Sequence, residues 1–324
     1  MRSQFFSKRA AWIVLFLLGL TEFCGSASAQ ETRTRVVTTL FPLYDFARNI
    51  GQDKIDLAML LPPGIEPHAF EPKPSDMARI ARAEVFIYTG NAMEPWAERI
   101  VKGVGNSRLR VVDASRGIAL MKMEGGEAGT GHVKGQQAHH HRDQALAGVD
   151  PHIWLDLGNS QKIVDTIADA LVLARPADER LLRQNAEAYK EKLRALDGSF
   201  TAEVSQCPKR EFIHAGHYAF GYLARRYHLT YVAAQGFVPD SEPTAKQLAA
   251  LARQVQSRGL KVVFYEELVE PRIARTVAKE TGAELLMLHG AHNLSRQDFD
   301  KGTTFIGIMQ DNLTHLKRGL GCQP

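Results

Sequence analysis

Eight short runs rich in β-branched and aromatic residues alternate with helix-like stretches along this chain, and that alternation limits the folds open to it more than any other feature. The first four runs are "RVVTTLF", "IDLAMLL", "EVFIYTG" and "RLRVVDA". Between them lie "PLYDFARNIG", which opens with proline and closes with glycine as a helix does, then "SDMARIARA" and "EPWAERIVKGV". The pattern returns later in "REFIHAG", "LTYVAA", "KVVFYEE" and "ELLMLHG", interleaved with "HYAFGYLARRY", "TAKQLAALARQVQSRG" and "PRIARTVAKETG". Strands separated by helices of this length build βαβ units. The expected fold is α/β, with two lobes that each carry a mostly parallel sheet flanked by helices.

Between the two series, Leu182, Ala186, Tyr189, Leu193, Leu196 and Phe200 recur at spacings of four and three, the stripe of an amphipathic helix. The segment from Asp178 to Val204 holds no proline and one glycine. At 1.5 Å per residue it spans about 40 Å, enough to join the lobes as a stiff connector. The implied division is an export signal at 1–29, an N-terminal lobe at 30–176, a connecting helix at 177–206 and a C-terminal lobe at 207–324.

The amino-terminal 29 residues carry basic Arg2, Lys8 and Arg9, then the apolar run "AAWIVLFLLGL", then Ala27 and Ala29 in a small-residue cleavage pattern. Eleven apolar residues are too few to span a bilayer, so the segment reads as a signal peptide cut after Ala29, and the mature protein is expected in the periplasm. Glu22 and Phe23 directly before Cys24 are poor substitutes for the small residues that a lipid-attachment site requires. Cleavage removes Cys24 and leaves Cys207 and Cys322, an even count in an exported chain, which favours a disulfide over a redox or metal role. The formal charge falls from +4 to +2, with 37 Lys and Arg against 35 Asp and Glu. Neither that balance nor the charge distribution offers the concentrated basic face that nucleic-acid binding needs.

The chemistry-bearing residues are histidines at the ends of strand candidates. His68 follows "IDLAMLL" in a stretch stiffened by Pro62, Pro63, Pro67, Pro72 and Pro74, where neither a helix nor a central strand is expected. His152 lies in "DPHIWLD", His217 follows "REFIHAG" and His289 ends "ELLMLHG". Ligands of open α/β sheets bind outside the carboxyl ends of the strands, so four histidines, two from each lobe, point towards one cleft. Neutral imidazoles suit tetrahedral Zn²⁺, whereas Mn²⁺ and Mg²⁺ prefer more oxygen. His214, at a strand end beside His217, is read as a supporting residue, and His228 and His315 as ordinary surface residues. The glycine-rich stretch 122–150, with His132, His139, His140 and His141, is expected to be a loop that captures divalent metal loosely.

Together "PPGIEPHAFEPKPSD", "DPHIWLD", "HYAFGYLARRY" and "KETGAELLML" resemble the solute-binding receptors of ABC-type zinc and manganese uptake systems, the group whose lobes are joined by one long helix. The resemblance runs from about Val36 to Leu320. It implies a metal site between the lobes, with His68, His152 and His217 at the family's histidine positions, and delivery of the metal to a membrane-embedded ABC permease. Manganese-type members resemble this chain less, because they carry glutamate at the third histidine position. At the fourth position the family often has aspartate in the pattern Leu-Asp-Pro, where this chain reads "LHGAH". His289 occupies the aligned place, while His292, Glu66, Glu267 and a water are the alternatives. The His-rich stretch matches an insertion typical of zinc-type members.

The expected function is therefore a high-affinity Zn²⁺ receptor, acting as a monomer, with His68, His152, His217 and His289 as metal ligands and no catalytic role. The rivals are a manganese-type receptor and a zinc hydrolase. A hydrolase would need an open coordination position and a general base, and the chain has no H-E-x-x-H helix. Storage or adhesion would call for many metal sites or a large apolar or repetitive surface, which the sequence does not show.

Overall fold

The computed structural model describes residues 33–122, 148–236 and 244–322. The segment read as an export signal, 1–29, and His132, His139, His140 and His141 lie outside the described residues. All eight strand candidates form strands. In the first sheet, β1 (Thr34–Thr38), β2 (Ile55–Met59), β3 (Val85–Tyr88) and β4 (Arg110–Asp113) stand in the order β2-β1-β3-β4. The second repeats the plan with β5 (Glu211–His214), β6 (Thr230–Ala233), β7 (Val262–Tyr265) and β8 (Glu284–Met287) in the order β6-β5-β7-β8. Every pairing is parallel. In each sheet the order reverses at the first strand, and such a switch point opens a crevice at the carboxyl ends of the strands.

The helices of the first lobe are α1 (Phe41–Gly51), α2 (Pro74–Arg82), α3 (Ala97–Gly103) and α4 (Leu157–Ala174). The proline-rich stretch is a loop only up to Lys73. Pro74 opens α2, where its missing N–H would have had no helical partner, and the Asp76 carboxylate accepts the Lys73 N–H at 3.0 Å. The connector is α5 (Glu179–Ser205), and its whole stripe from Leu182 to Phe200 is buried, together with Val204. The second lobe adds α6 (Gly221–Arg226), α7 (Ala245–Ser257), α8 (Arg272–Thr281), α9 (Arg296–Asp300) and α10 (Phe305–Gly319). "HYAFGYLARRY" is helical only from Gly221; its first four residues form the bend that carries His217. The strand-helix alternation does not mark α10, although Phe305, Ile308, Met309, Leu313 and Leu316 have helical spacing and are buried.

α10 and α5 make the molecule more than two lobes on a rod. The Asp45 carboxylate of α1 accepts the Tyr189 hydroxyl of α5 at 2.8 Å and the Phe305 N–H of α10 at 3.2 Å. The Phe46 ring packs 5.0 Å from Phe305 and 5.5 Å from Tyr189. One apolar core runs from Val36 in the first sheet through α4 and α5 to Phe264 and Leu320 in the second lobe. Two smaller clusters, around Phe86 and Val263, cover the outer faces of the sheets. A core shared in this way opposes hinge rotation, because opening the lobes would expose it. Cys207 and Cys322 are disulfide-bonded across 115 residues, and on the chain-entropy argument such a bridge contributes about 4 to 5 kcal/mol.

Candidate metal centre

Four loops at the carboxyl ends of the strands meet between the lobes. The loop after β2 turns at Gly64, in the left-handed region at φ 88°, and is pinned from the other lobe. The Asn293 side-chain amide donates to the Pro62 and Ile65 carbonyls at 2.7 and 2.9 Å, and the Gly64 N–H donates to the Leu294 carbonyl at 2.7 Å. The Glu66 carboxylate accepts the Ala69 N–H at 3.0 Å, closing the turn that presents His68. His152 precedes α4, whose N-cap is Asp156, and its backbone N–H donates to Asp150 at 3.0 Å. His217 follows β5. His292 lies in the turn after β8, where the Trp154 indole donates to the Gly290 carbonyl at 2.8 Å and the Phe41 N–H to the His292 carbonyl at 3.1 Å.

The rings of His68, His152, His217 and His292 converge, with one nitrogen of each within 4.8 Å of all the others. The Nε2 atom of His152 stands 3.3 Å from Nε2 of His68 and 3.3 Å from Nε2 of His217. Four nitrogens about 2.05 Å from a tetrahedral zinc would be about 3.3 Å apart. On the far side of three rings stands a carboxylate. Nδ1 of His152 is 2.8 Å from Asp150, Nδ1 of His292 is 3.1 Å from Glu267, and Nδ1 of His217 is hydrogen-bonded to Glu266. A carboxylate accepts, so each of these Nδ1 atoms carries the proton when the acid is ionised, and the Nε2 lone pairs then face one another. The His292 Nε2 is buried with no hydrogen-bond partner among the described residues. Converging lone pairs repel unless a cation stands between them.

The electrostatics agree. Burial, reinforced by the His292 and His217 charges, pushes His68 down to about 2, and the same causes hold His152 well below the ordinary imidazole value. Burial would lower His217 too, but the hydrogen bond and charge of Glu266 outweigh it and raise His217 above its ordinary value. Burial alone would raise Glu267, yet its contacts with His289 and His292 hold it well below the ordinary carboxylate value. Burial raises Asp150 to about 7.

His289 is not in the cluster. Its Nδ1 lies 2.9 Å from the Ala291 N–H and 3.2 Å from Glu267, and its backbone N–H and carbonyl both bond the Asn312 side chain at 2.8 Å. The expectation that a strand end delivers its own histidine fails here because the chain turns again. Ala291 adopts a left-handed conformation at φ 58°, and the turn places His292, three residues on, in the cleft. Gly290 permits this, since a Cβ there would stand 2.2 Å from Cε1 of His292. Gly290→Ala is therefore expected to weaken zinc binding at least tenfold with little change in the metal-free melting temperature. Titration of that variant showing wild-type affinity would separate His292 from the metal.

Asp150 and Glu266, which orient two of the rings, are absent from the sequence reading; their signals are an acid two residues before the histidine in "DPH" and the acid pair that ends "KVVFYEE". Glu267, read as an alternative ligand, orients His292 instead. His214 is buried with neither ring nitrogen partnered among the described residues, packed 5.0 Å from Phe220. His228 is exposed beyond the end of α6, and the His315 ring bonds the Met287 carbonyl at 2.8 Å.

Residues 36–319 match the family model described as ZnuA, zinc-uptake complex component A periplasmic. The high-affinity zinc uptake system protein ZnuA of Bacillus subtilis is 36% identical over 318 residues, 98% of this chain and 97% of that protein. The zinc-binding lipoprotein AdcA of Streptococcus pneumoniae is 32% identical over 95% of this chain, which spans only 59% of that protein's length. The crystal structure of the Zn(II)-bound ZnuA-like domain of S. pneumoniae AdcA superposes with a TM-score of 0.74 at 29% identity, covering 89% of this chain and 99% of that one.

Proposed function

The chain belongs to the periplasmic zinc-uptake component A family, and from that premise and its four converging imidazoles we propose a receptor that takes up one Zn²⁺ between its lobes for an ABC permease. The observation that carries this reading is the inward-facing set of Nε2 atoms backed by carboxylates on Nδ1. We assign the ligand set to His68, His152, His217 and His292. Four nitrogen donors fill a tetrahedral zinc and leave no position for a reactive water, which speaks for transport rather than hydrolysis. The absence of oxygen from the set disfavours manganese. We propose a division into an N-terminal lobe at 30–176, a connector at 177–206 and a C-terminal lobe at 207–324, acting as a monomer after cleavage behind Ala29.

Competition titration against a chelator should find one tight zinc at this centre, with manganese unable to displace it at equal concentration. Tight manganese binding would overturn the assignment. Because the lobes share one core, zinc is expected to order the loops at 62–70 and 150–153 with little lobe rotation. Small-angle scattering should show almost the same radius of gyration with and without metal, and a large compaction would refute the shared-core account.

A further inference from the structure

At the amino ends of the first sheet, on the side away from the metal centre, lies a second cleft of about 470 Å³ lined by Arg35, Arg82, Arg108 and Arg110. Four guanidiniums face a single lining carboxylate, Glu84, which is paired with Arg35 at 3.7 Å. Neither the Arg82 nor the Arg108 side chain has a carboxylate partner among the described residues, and both lie free to turn into the cleft. The Nε of Arg110 is buried with no hydrogen-bond partner among the described residues, a donor whose desolvation is uncompensated unless an acceptor reaches it.

The walls are fixed in place. The Glu84 N–H donates to the Arg35 carbonyl at 2.9 Å and the Arg110 N–H to the Glu84 carbonyl at 3.0 Å, which sets three strand starts side by side. The Asn106 amide holds the turn after α2 through the Ala81 and Ala83 carbonyls at 2.9 and 3.0 Å, and its oxygen accepts the Arg108 N–H at 3.0 Å. One guanidinium of the group, that of Arg110, also reaches the Leu173 carbonyl at 3.4 Å. Leu173 lines the same cleft and is 61% exposed, the most exposed large apolar side chain among the described residues.

We propose that this cleft binds a phosphate monoester or diester, either a free phosphorylated solute or the headgroup of an anionic phospholipid. Planar guanidiniums match the oxygens of a phosphate in pairs, and several of them around one cleft neutralise a multiply charged group as surface lysines would not. Because the strands are parallel, the cleft is separated from the metal loops by the length of the sheet, about 15 Å. Its occupant therefore leaves the metal face free for the permease. The exposed Leu173 at the rim suits a headgroup source, in which an apolar side chain dips into the interface beside the charged group.

The test uses the full mature chain with zinc bound and two probes: inorganic pyrophosphate, followed by titration, and vesicles of phosphatidylglycerol in phosphatidylcholine, followed by co-sedimentation at 50 mM and 300 mM salt. Binding to at least one probe is expected, weakened at the higher salt and weakened at least tenfold in Arg82→Gln/Arg108→Gln, with zinc affinity unchanged in that variant. Glu84→Gln, which removes the competing carboxylate, is expected to tighten the same binding about threefold. Pyrophosphate alone identifies a soluble ligand, vesicles alone identify the membrane, and both identify the phosphate group itself. Binding to neither probe, or equal binding by the wild type and the double variant, overturns the proposal.

Discussion

Replacing His292 by alanine should lower zinc affinity at least about a hundredfold, the equivalent of roughly 2.7 kcal/mol, whereas replacing His289 should lower it less than tenfold. The contrast follows from where each ring points. His292 offers to the cluster a buried Nε2 that has no partner among the described residues, and it is held there by Glu267 through Nδ1. His289 only touches Glu267 from outside, and that carboxylate keeps the His292 ring and the Gly290 N–H at 2.8 Å when His289 is gone. His68→Ala, His152→Ala and His217→Ala are expected to match His292→Ala in zinc affinity but to differ in stability. His68 is partly exposed on a loop and its removal leaves the core untouched, whereas His152 is fully buried and its loss leaves Asp150 without its ring partner. Calorimetric titration, with metal-free melting curves as the control for folding, reads both effects. Equal losses in the His289 and His292 variants would return the fourth ligand to the strand end.

Legibility in the sequence followed the periodicity of each segment. The eight strands and the long connector announce themselves because burial on both faces, or along one stripe, demands apolar residues at a fixed period. The ends of those elements were less legible. Pro74 reads equally well as loop or as the first residue of a helix, and α10 follows another helix rather than a strand, so the strand-helix alternation gives no reason to place it. The same contrast runs through the candidate site. His68, His152 and His217 stand next to the elements that position them, and their placement follows from topology. His292 depends on a left-handed Ala291 and on the space left by Gly290, which are properties of one turn and leave no period in the chain. The orienting acids were hidden for another reason: Glu266 and His217 are 49 residues apart in sequence and meet only because β5 and β7 are neighbours at the switch point.

Acidification should weaken zinc binding steeply, and the carboxylates around the centre set how steeply. Zinc needs each Nε2 lone pair, so any proton held there in the metal-free protein must leave on binding. His68 and His152 are already neutral at pH 6, because burial holds them far below that range, and they release nothing. His217 differs, since Glu266 raises it above the ordinary imidazole value near 6.5, and below that pH its proton competes with the metal. A second proton comes from Asp150, raised by burial to about 7. Zinc on Nε2 of His152 favours the Nδ1–H tautomer and an ionised acid behind it, so binding expels the Asp150 proton. With two protons released, affinity is expected to be nearly flat above pH 8 and to fall by up to about a hundredfold per unit below pH 6.5. Between pH 7.5 and 5.5 the dissociation constant should rise at least about a hundredfold. Calorimetry in buffers of different ionisation enthalpy counts the protons directly, with about two released per zinc at pH 6. Glu266→Gln removes the group that raises His217, so it should release about one proton fewer at pH 6 and show a shallower pH slope, while binding zinc about 10 to 100 times more weakly at neutral pH because the ring loses its orienting partner. An affinity independent of pH between 7.5 and 5.5, or an unchanged proton count in Glu266→Gln, would rule out this account of metal capture and acid release.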